Sequence, residues 1–217
     1  ALGVVFPAVF VILGRAIESG GTGATDAAQR LSLIIPIVAA FLLFGEVLTG
    51  TRIFGLLLGF LALGALVYRP QHGLINSQAK QTPLWLFGVW LGYGVIDILF
   101  KQVAKQGAAF PISLFVTFGL AGLLLLVYLL STRVRWQGNA LSAGLLLGAL
   151  NMGNIYAYVR AHQVLSESPS IVFTGMNVGV IAVATLIGVG VFKERLNRIN
   201  IVGLLLAIGC VAVLFLL

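Results

Sequence analysis

From Ile112 to Leu130 the chain runs for nineteen residues without one charged side chain, and that run decides what its solvent must be. A helix needs about 20 apolar residues to cross a hydrocarbon core about 30 Å thick, each residue rising about 1.5 Å. Similar runs recur along the sequence, and 60% of the 217 residues are hydrophobic against 9% charged. So few charges cannot clothe a water-facing surface, which excludes a soluble globular domain. A membrane β-barrel is excluded as well, because its strands alternate apolar and polar residues over about ten positions and no such rhythm is present. The chain reads as an all-α integral membrane protein.

Glycine, proline and charge punctuate the sequence into eight spans, at residues 2–16, 31–48, 53–68, 84–103, 111–130, 141–165, 171–192 and 201–217. The glycine-rich stretch Gly20 to Gly23 is expected to be the first turn, while Pro111 and Pro169 open the fifth and seventh spans. Residue 1 is Ala and no basic leader precedes the first span, so the chain is expected to be a fragment cut inside helices at both ends. The net charge of +7 comes from thirteen Lys and Arg scattered over the connections. That is the pattern of membrane anchors and not of a nucleic-acid surface. One cysteine, Cys210, and two histidines give no expected disulfide, metal site or cofactor. Trp85, Trp90, Trp136, Tyr68 and Tyr93 lie mostly near span ends, as an interfacial belt would.

Sliding the sequence on itself by 148 residues sets Phe44-Gly45-Glu46-Val47-Leu48 on Phe192-Lys193-Glu194-Arg195-Leu196, Ile53 on Ile201, and Gly55-Leu56-Leu57-Leu58 on Gly203-Leu204-Leu205-Leu206. Eight of fifteen positions are identical. Leucine matches come cheaply in this composition; the shared Phe, Glu and Gly do not. The shift maps the second and third spans onto the seventh and eighth, a period of five crossings, and an odd period turns the second copy upside down. Inverted repeats meeting near the membrane midplane are a recurring design of secondary transporters.

A Phe-x-Glu at the end of one span, a short polar turn and then a Gly-Leu-Leu-Leu helix, occurring twice, resembles the EamA family of the drug/metabolite transporter superfamily. The resemblance covers both halves. It implies ten helices in two inverted five-helix repeats around a central cavity, of which this chain carries eight. Residues 1–69 are then the last three helices of the first repeat, 70–82 the linker and 83–217 the second repeat. It also implies a secondary carrier in a bacterial inner membrane working by alternating access, and says nothing of the substrate; the amides and hydroxyls of the sixth and seventh spans point to a small polar or amphipathic metabolite. No partner beyond substrate and lipid is expected, and a proton gradient is a candidate driving force.

Two other classes compete. A small polytopic enzyme acting on lipid-linked substrates should present a clustered nucleophile, base or basic set at one membrane face, and the connections offer none. A channel should show rings of charge or carbonyl-filter segments, which are not evident. Every lysine is followed by Gln or Glu, so the chain contains no phosphate-cradling Gly-Lys-Ser/Thr loop for ATP-driven transport.

Polar side chains at membrane depth face a bundle interior or a watery cavity. At 100° per residue, Gly144, Gly148, Asn151, Asn154, Tyr158 and His162 fall within an arc of roughly 120° on the sixth span. Thr174, Asn177, Thr185 and Gly188 share a face of the seventh. The expected substrate wall is Asn151, Asn154, Tyr158, His162, Thr174 and Asn177. Interhelical hydrogen bonding is the competing role for its amides, and Gly144, Gly148, Gly175 and Gly179 would allow close helix contacts. Met152 and Phe173 would accommodate a greasy side chain. Arg30 is a candidate for an anionic group, against a snorkelling role at the membrane surface. Asp97 and Lys101, four apart, are expected to neutralise each other, with proton coupling at Asp97 as the alternative. Glu46 and Glu194 border the turns, where a structural hydrogen-bonding role is expected.

Orientation is contested. One set of connections holds Arg30, Arg69, Lys80, Arg133, Arg135, Lys193, Arg195 and Arg198, the other Arg52, Lys101, Lys105 and Arg160. The positive-inside bias makes the first set cytoplasmic, whereas the family resemblance implies the second.

Overall fold

A computed structural model describes residues 1–47, 49–67, 82–132, 137–191, 193 and 196–216. The expected linker lies outside them except for Thr82, as do Tyr68, Arg133, Arg135, Trp136, Phe192, Glu194 and Arg195. The elements are α1 (Leu2–Leu31), α2 (Ile34–Leu42), α3 (Gly50–Val67), α4 (Thr82–Ala104), α5 (Phe110–Ser131), α6 (Gly138–Val164), α7 (Pro169–Gly190) and α8 (Arg198–Leu216), with a 3-10 turn at Gly107–Ala109. No strand occurs among the described residues. Seven helical stretches are long and apolar enough to cross a membrane, with Leu2–Leu42 counted as one.

That stretch of 41 residues would be about 60 Å long if straight, twice a hydrocarbon core. It is not straight. Gly21 leaves helical geometry at φ 77°, ψ 166°, a region that suits glycine. The contacts with α4 show what this does. A Cβ on Gly20 would lie 2.9 Å from Thr82, one on Gly88 2.9 Å from Ile12, and one on Gly92 2.5 Å from Val9, so residues 2–20 run antiparallel to α4. Beyond Gly21 the order inverts: Trp90 bonds the Leu31 carbonyl and Gly94 meets Ile35, so the chain now runs parallel to α4. Direction reverses at Gly21.

The expected second span therefore starts too late, since residues 22–31 are helical. Asp26 and Arg30 lower its hydropathy, but they pair at 3.4 Å one turn apart. Thr25 bonds the Gly21 carbonyl and Ser32 the Gln29 carbonyl. A second break, at Ser32–Leu33, has a proline cause. Pro36 has no N–H for the Ser32 carbonyl, and its ring clashes with that carbonyl's helical position. The Ile35 N–H takes the Ser32 carbonyl at 2.9 Å, which leaves the Leu31 carbonyl open, and the Trp90 indole N–H fills it at 3.1 Å. Trp90, expected only in an aromatic belt, is thus a fastener of the kink.

Helices α3 and α8 pack antiparallel along their lengths. A Cβ on Gly55 would sit 2.5 Å from Leu214, and one on Gly203 would sit 2.9 Å from Leu66. Between these ends Gly59 lies against Cys210, and Asn200 bonds the Ala65 carbonyl at 2.9 Å. Gly203 and Leu214 are the residues 148 places after Gly55 and Leu66. Each Gly–Leu contact is the image of the other under the repeat shift.

Candidate functional site

Glu46 lies just past α2, where Gly45 at φ 69° turns the chain. Its carboxylate is fully buried and reaches the start of α7, accepting the Ser170 backbone N–H at 2.8 Å and the Ser170 hydroxyl at 2.6 Å. The first N–H groups of a helix have no internal partner and carry partial positive charge, so a carboxylate suits them. Arg52, at the start of α3, holds Glu46 at 3.2 Å and the Ser168 hydroxyl at 2.7 Å. The expected structural role of Glu46 is thus a clasp between α2, α3 and α7. Its repeat partner Glu194 lies outside the described residues.

The expected ion pair of Asp97 with Lys101 does not form. The Tyr158 hydroxyl donates to Asp97 at 2.9 Å, joining α4 to α6. Lys101, buried, donates to the Ser166 carbonyl at 2.9 Å and the His162 carbonyl at 3.5 Å, at the C-terminal end of α6. A cation is favoured there because the last carbonyls of a helix are unpaired and its dipole is negative. Each partner found a better match on α6 than on its own helix.

The expected substrate wall divides into two. Tyr158, His162 and Thr174 are buried at the meeting of α4, α6 and α7. Four rings meet edge to face in a row there: Phe100 with Tyr158 at 5.9 Å, Tyr158 with His162 at 4.9 Å, His162 with Phe173 at 4.6 Å. Among the described residues, both His162 nitrogens and the Thr174 hydroxyl are buried without a hydrogen-bond partner. Asn151 and Asn154, by contrast, are exposed near the middle of α6. Asn177 is half-buried, its amide bonded to the Phe173 carbonyl at 3.0 Å within its own helix. Arg30 stays with Asp26 on α1. Phe173 is fully buried and Met152 exposed, so the two do not line one space.

Of the glycines expected to allow close helix contacts, Gly175 alone makes one, and it joins α7 to α8, not to α6. A Cβ on Gly175 would meet Phe215 at 3.0 Å, whereas Gly144, Gly148 and Gly179 have nothing within 4 Å. Tighter glycine contacts occur at α1–α4, α2–α4, α3–α7 and α3–α8.

Residues that the sequence reading left out of the site are Ser170, Arg52, Lys105, Arg160 and Gln163. Gln163 donates to the Gly107 carbonyl at 2.7 Å and the Ala104 carbonyl at 3.3 Å, tying α6 to the turn after α4. The signal available for Lys105 and Arg160 was their shared side of the membrane.

Fold and composition define the class: a multi-pass helical membrane protein. No family model matches the chain. A Haemophilus influenzae protein, described as an uncharacterized protein, is 46% identical over 215 residues, covering 99% of this chain and 74% of that protein. The chain belongs to the family of that protein. A solved structure titled "Crystal structure of protein" superposes with a TM-score of 0.67 at 14% identity, over 99% of this chain and 75% of the other. That likeness is one of fold.

Proposed function

We propose that the chain is a secondary carrier of the EamA type in a bacterial inner membrane, crossing it eight times and exposing a small polar or amphipathic metabolite alternately to the two sides. The observation that carries the reading is the pair of Gly–Leu contacts between α3 and α8, related by the 148-residue shift. Two inverted copies that meet about a two-fold axis contact each other this way, and a central contact of that kind lets one half rock against the other. The reversal at Gly21 supports eight passages, because residues 22–42 are long enough, at about 30 Å, to return across the membrane.

The chemistry of the polar groups supports hydrogen bonding of a neutral or zwitterionic solute. Asn151 and Asn154 present exposed amides near the middle of α6, and Tyr158, His162 and Thr174 hold polar groups buried deeper in the bundle. Asp97, held by Tyr158 at 2.9 Å, is the group at which a proton would couple to that path. The test is flux of radiolabelled amino acids and other small amphipathic solutes into proteoliposomes. Saturable uptake with counterflow, sharply weakened by Asn154→Leu in a protein that still inserts, is the expected result. Uptake that rises linearly with concentration and shows no counterflow would mean a pore.

A further inference from the structure

A pocket of about 470 Å³ opens where the C-terminal ends of α4 and α6 meet, and Lys101, Lys105, Arg160, His162, Gln163 and Ser166 stand in its wall. We propose that this pocket is an oxyanion site that takes a phosphate group.

Three cations share one small space whose lining contains no carboxylate. Among the described residues none of the three is in an ion pair, whereas Arg15, Arg30 and Arg52 each face an acid. The acids that act on Lys101 are Glu46 and Glu167. Glu46 is already held by Ser170 and Arg52, and Glu167 does not line the pocket. Three like charges brought together repel, and a bound anion turns that repulsion into attraction.

The donors left over suit a phosphate. Lys101 uses two of its three N–H groups on the His162 carbonyl in α6 and the Ser166 carbonyl just past it, and keeps one. Arg160 donates from Nη1 to the Gln163 side-chain oxygen Oε1 at 2.8 Å, and the remaining edge of its fork is free to bind two oxygens at once. Lys105 has its ammonium 4.8 Å from the centre of the Phe44 ring and spends no hydrogen bond there. Gln163 fixes the rim by its bonds to Ala104 and Gly107, so the wall is built before the anion arrives. Because the pocket lies at the end of two spans, the phosphate has two sources, the headgroup of an anionic phospholipid or a phosphate-bearing solute in water.

The site does not depend on the carrier reading, and its test uses no transport. The purified chain in neutral detergent is given short-chain phosphatidylglycerol, with phosphatidylcholine as reference, and retained lipid is counted by native mass spectrometry. Inorganic phosphate is titrated separately by calorimetry. Lys105→Gln/Arg160→Gln removes two exposed cations, and Arg15→Gln is the control at an unrelated pair. At about fivefold per cation, the double variant should bind about twenty-five-fold more weakly. Lys105→Gln alone gives the fivefold step should the double variant fail to fold. Loss of phosphatidylglycerol alone assigns the lipid source, and loss of inorganic phosphate binding assigns the solute. Equal binding of both probes by wild type and variants, or binding of neither by the wild type, overturns the proposal.

Discussion

Removing the Glu46 carboxylate tests the clasp that joins the end of α2 to the start of α7. Glu46→Ala deletes a fully buried charge that accepts two bonds from Ser170 and neutralises Arg52, whose side chain is 24% exposed. The Ser170 N–H then has no acceptor at the positive end of a helix, and Arg52 keeps only the Ser168 hydroxyl and the Val47 carbonyl. Breaking a buried pair from one side costs about 3–5 kcal/mol, the lower end applying because Arg52 reaches water. For a chain of this length each kcal/mol lowers Tm by about 2–4 °C, so a fall of roughly 6–20 °C is expected. Glu46→Gln keeps shape and one acceptor oxygen but turns a donor toward Arg52 or Ser170, and about half the loss follows. The assay is thermal unfolding of the purified protein in one detergent, read by tryptophan fluorescence. Glu46→Ala/Arg52→Ala should lose less than the two single losses together, because both delete the same contact. Strict additivity, or a Glu46→Ala shift within 2 °C, would refute the account.

Gly55→Leu and Gly203→Leu should each destabilise by about 3 kcal/mol or fail to express, since their first added carbon falls 2.5 and 2.9 Å from a leucine, while Gly144→Leu, in open space, should melt like wild type. Thr22→Cys and Val47→Cys, both exposed, should react with a membrane-impermeant maleimide from opposite sides; labelling from one side would remove the eight-passage topology. Asp97→Asn should abolish any stimulation of flux by a pH gradient without loss of expression, whereas Tyr158→Phe should weaken it, and an unaltered pH response in Asp97→Asn would dismiss proton coupling at this residue.

Much of the helical order was legible because hydrocarbon filters sequence so strictly: α3 to α8 lie where runs of apolar residues put them. Misreadings arose where polar residues settle their needs locally. Residues 22–30 fall outside the expected spans because three glycines, Gly20, Gly21 and Gly23, precede Asp26 and Arg30, yet Gly21 alone leaves helical geometry and the two charges cancel along the helix. Other features depend on partners distant in sequence. Spacing made Asp97 and Lys101 candidates for each other, and nothing local announced that Tyr158 and the last carbonyls of α6 would compete for them. The repeat singled out Glu46 as structural but could not name Ser170. Charge counting put Lys101, Lys105 and Arg160 on one side of the membrane, and only helix packing drew them to one pocket.

The reversal at Gly21 also bears on how the chain enters a bilayer during synthesis. Residues 22–31 carry Asp26, Gln29 and Arg30, and a charged residue at the centre of an inserting helix costs about 2.5–3.5 kcal/mol on the scale set by the translocation machinery. Presented alone, that segment is a poor candidate for lateral release into lipid. Joined to residues 2–20 by a single glycine, it can leave the machinery as half of a preformed hairpin, its ion pair closed and its partner's apolar flank already in place. A substitution at Gly21 would then act first on biogenesis, as material retained or degraded before assembly, with less effect on the finished molecule than its place at a surface turn suggests.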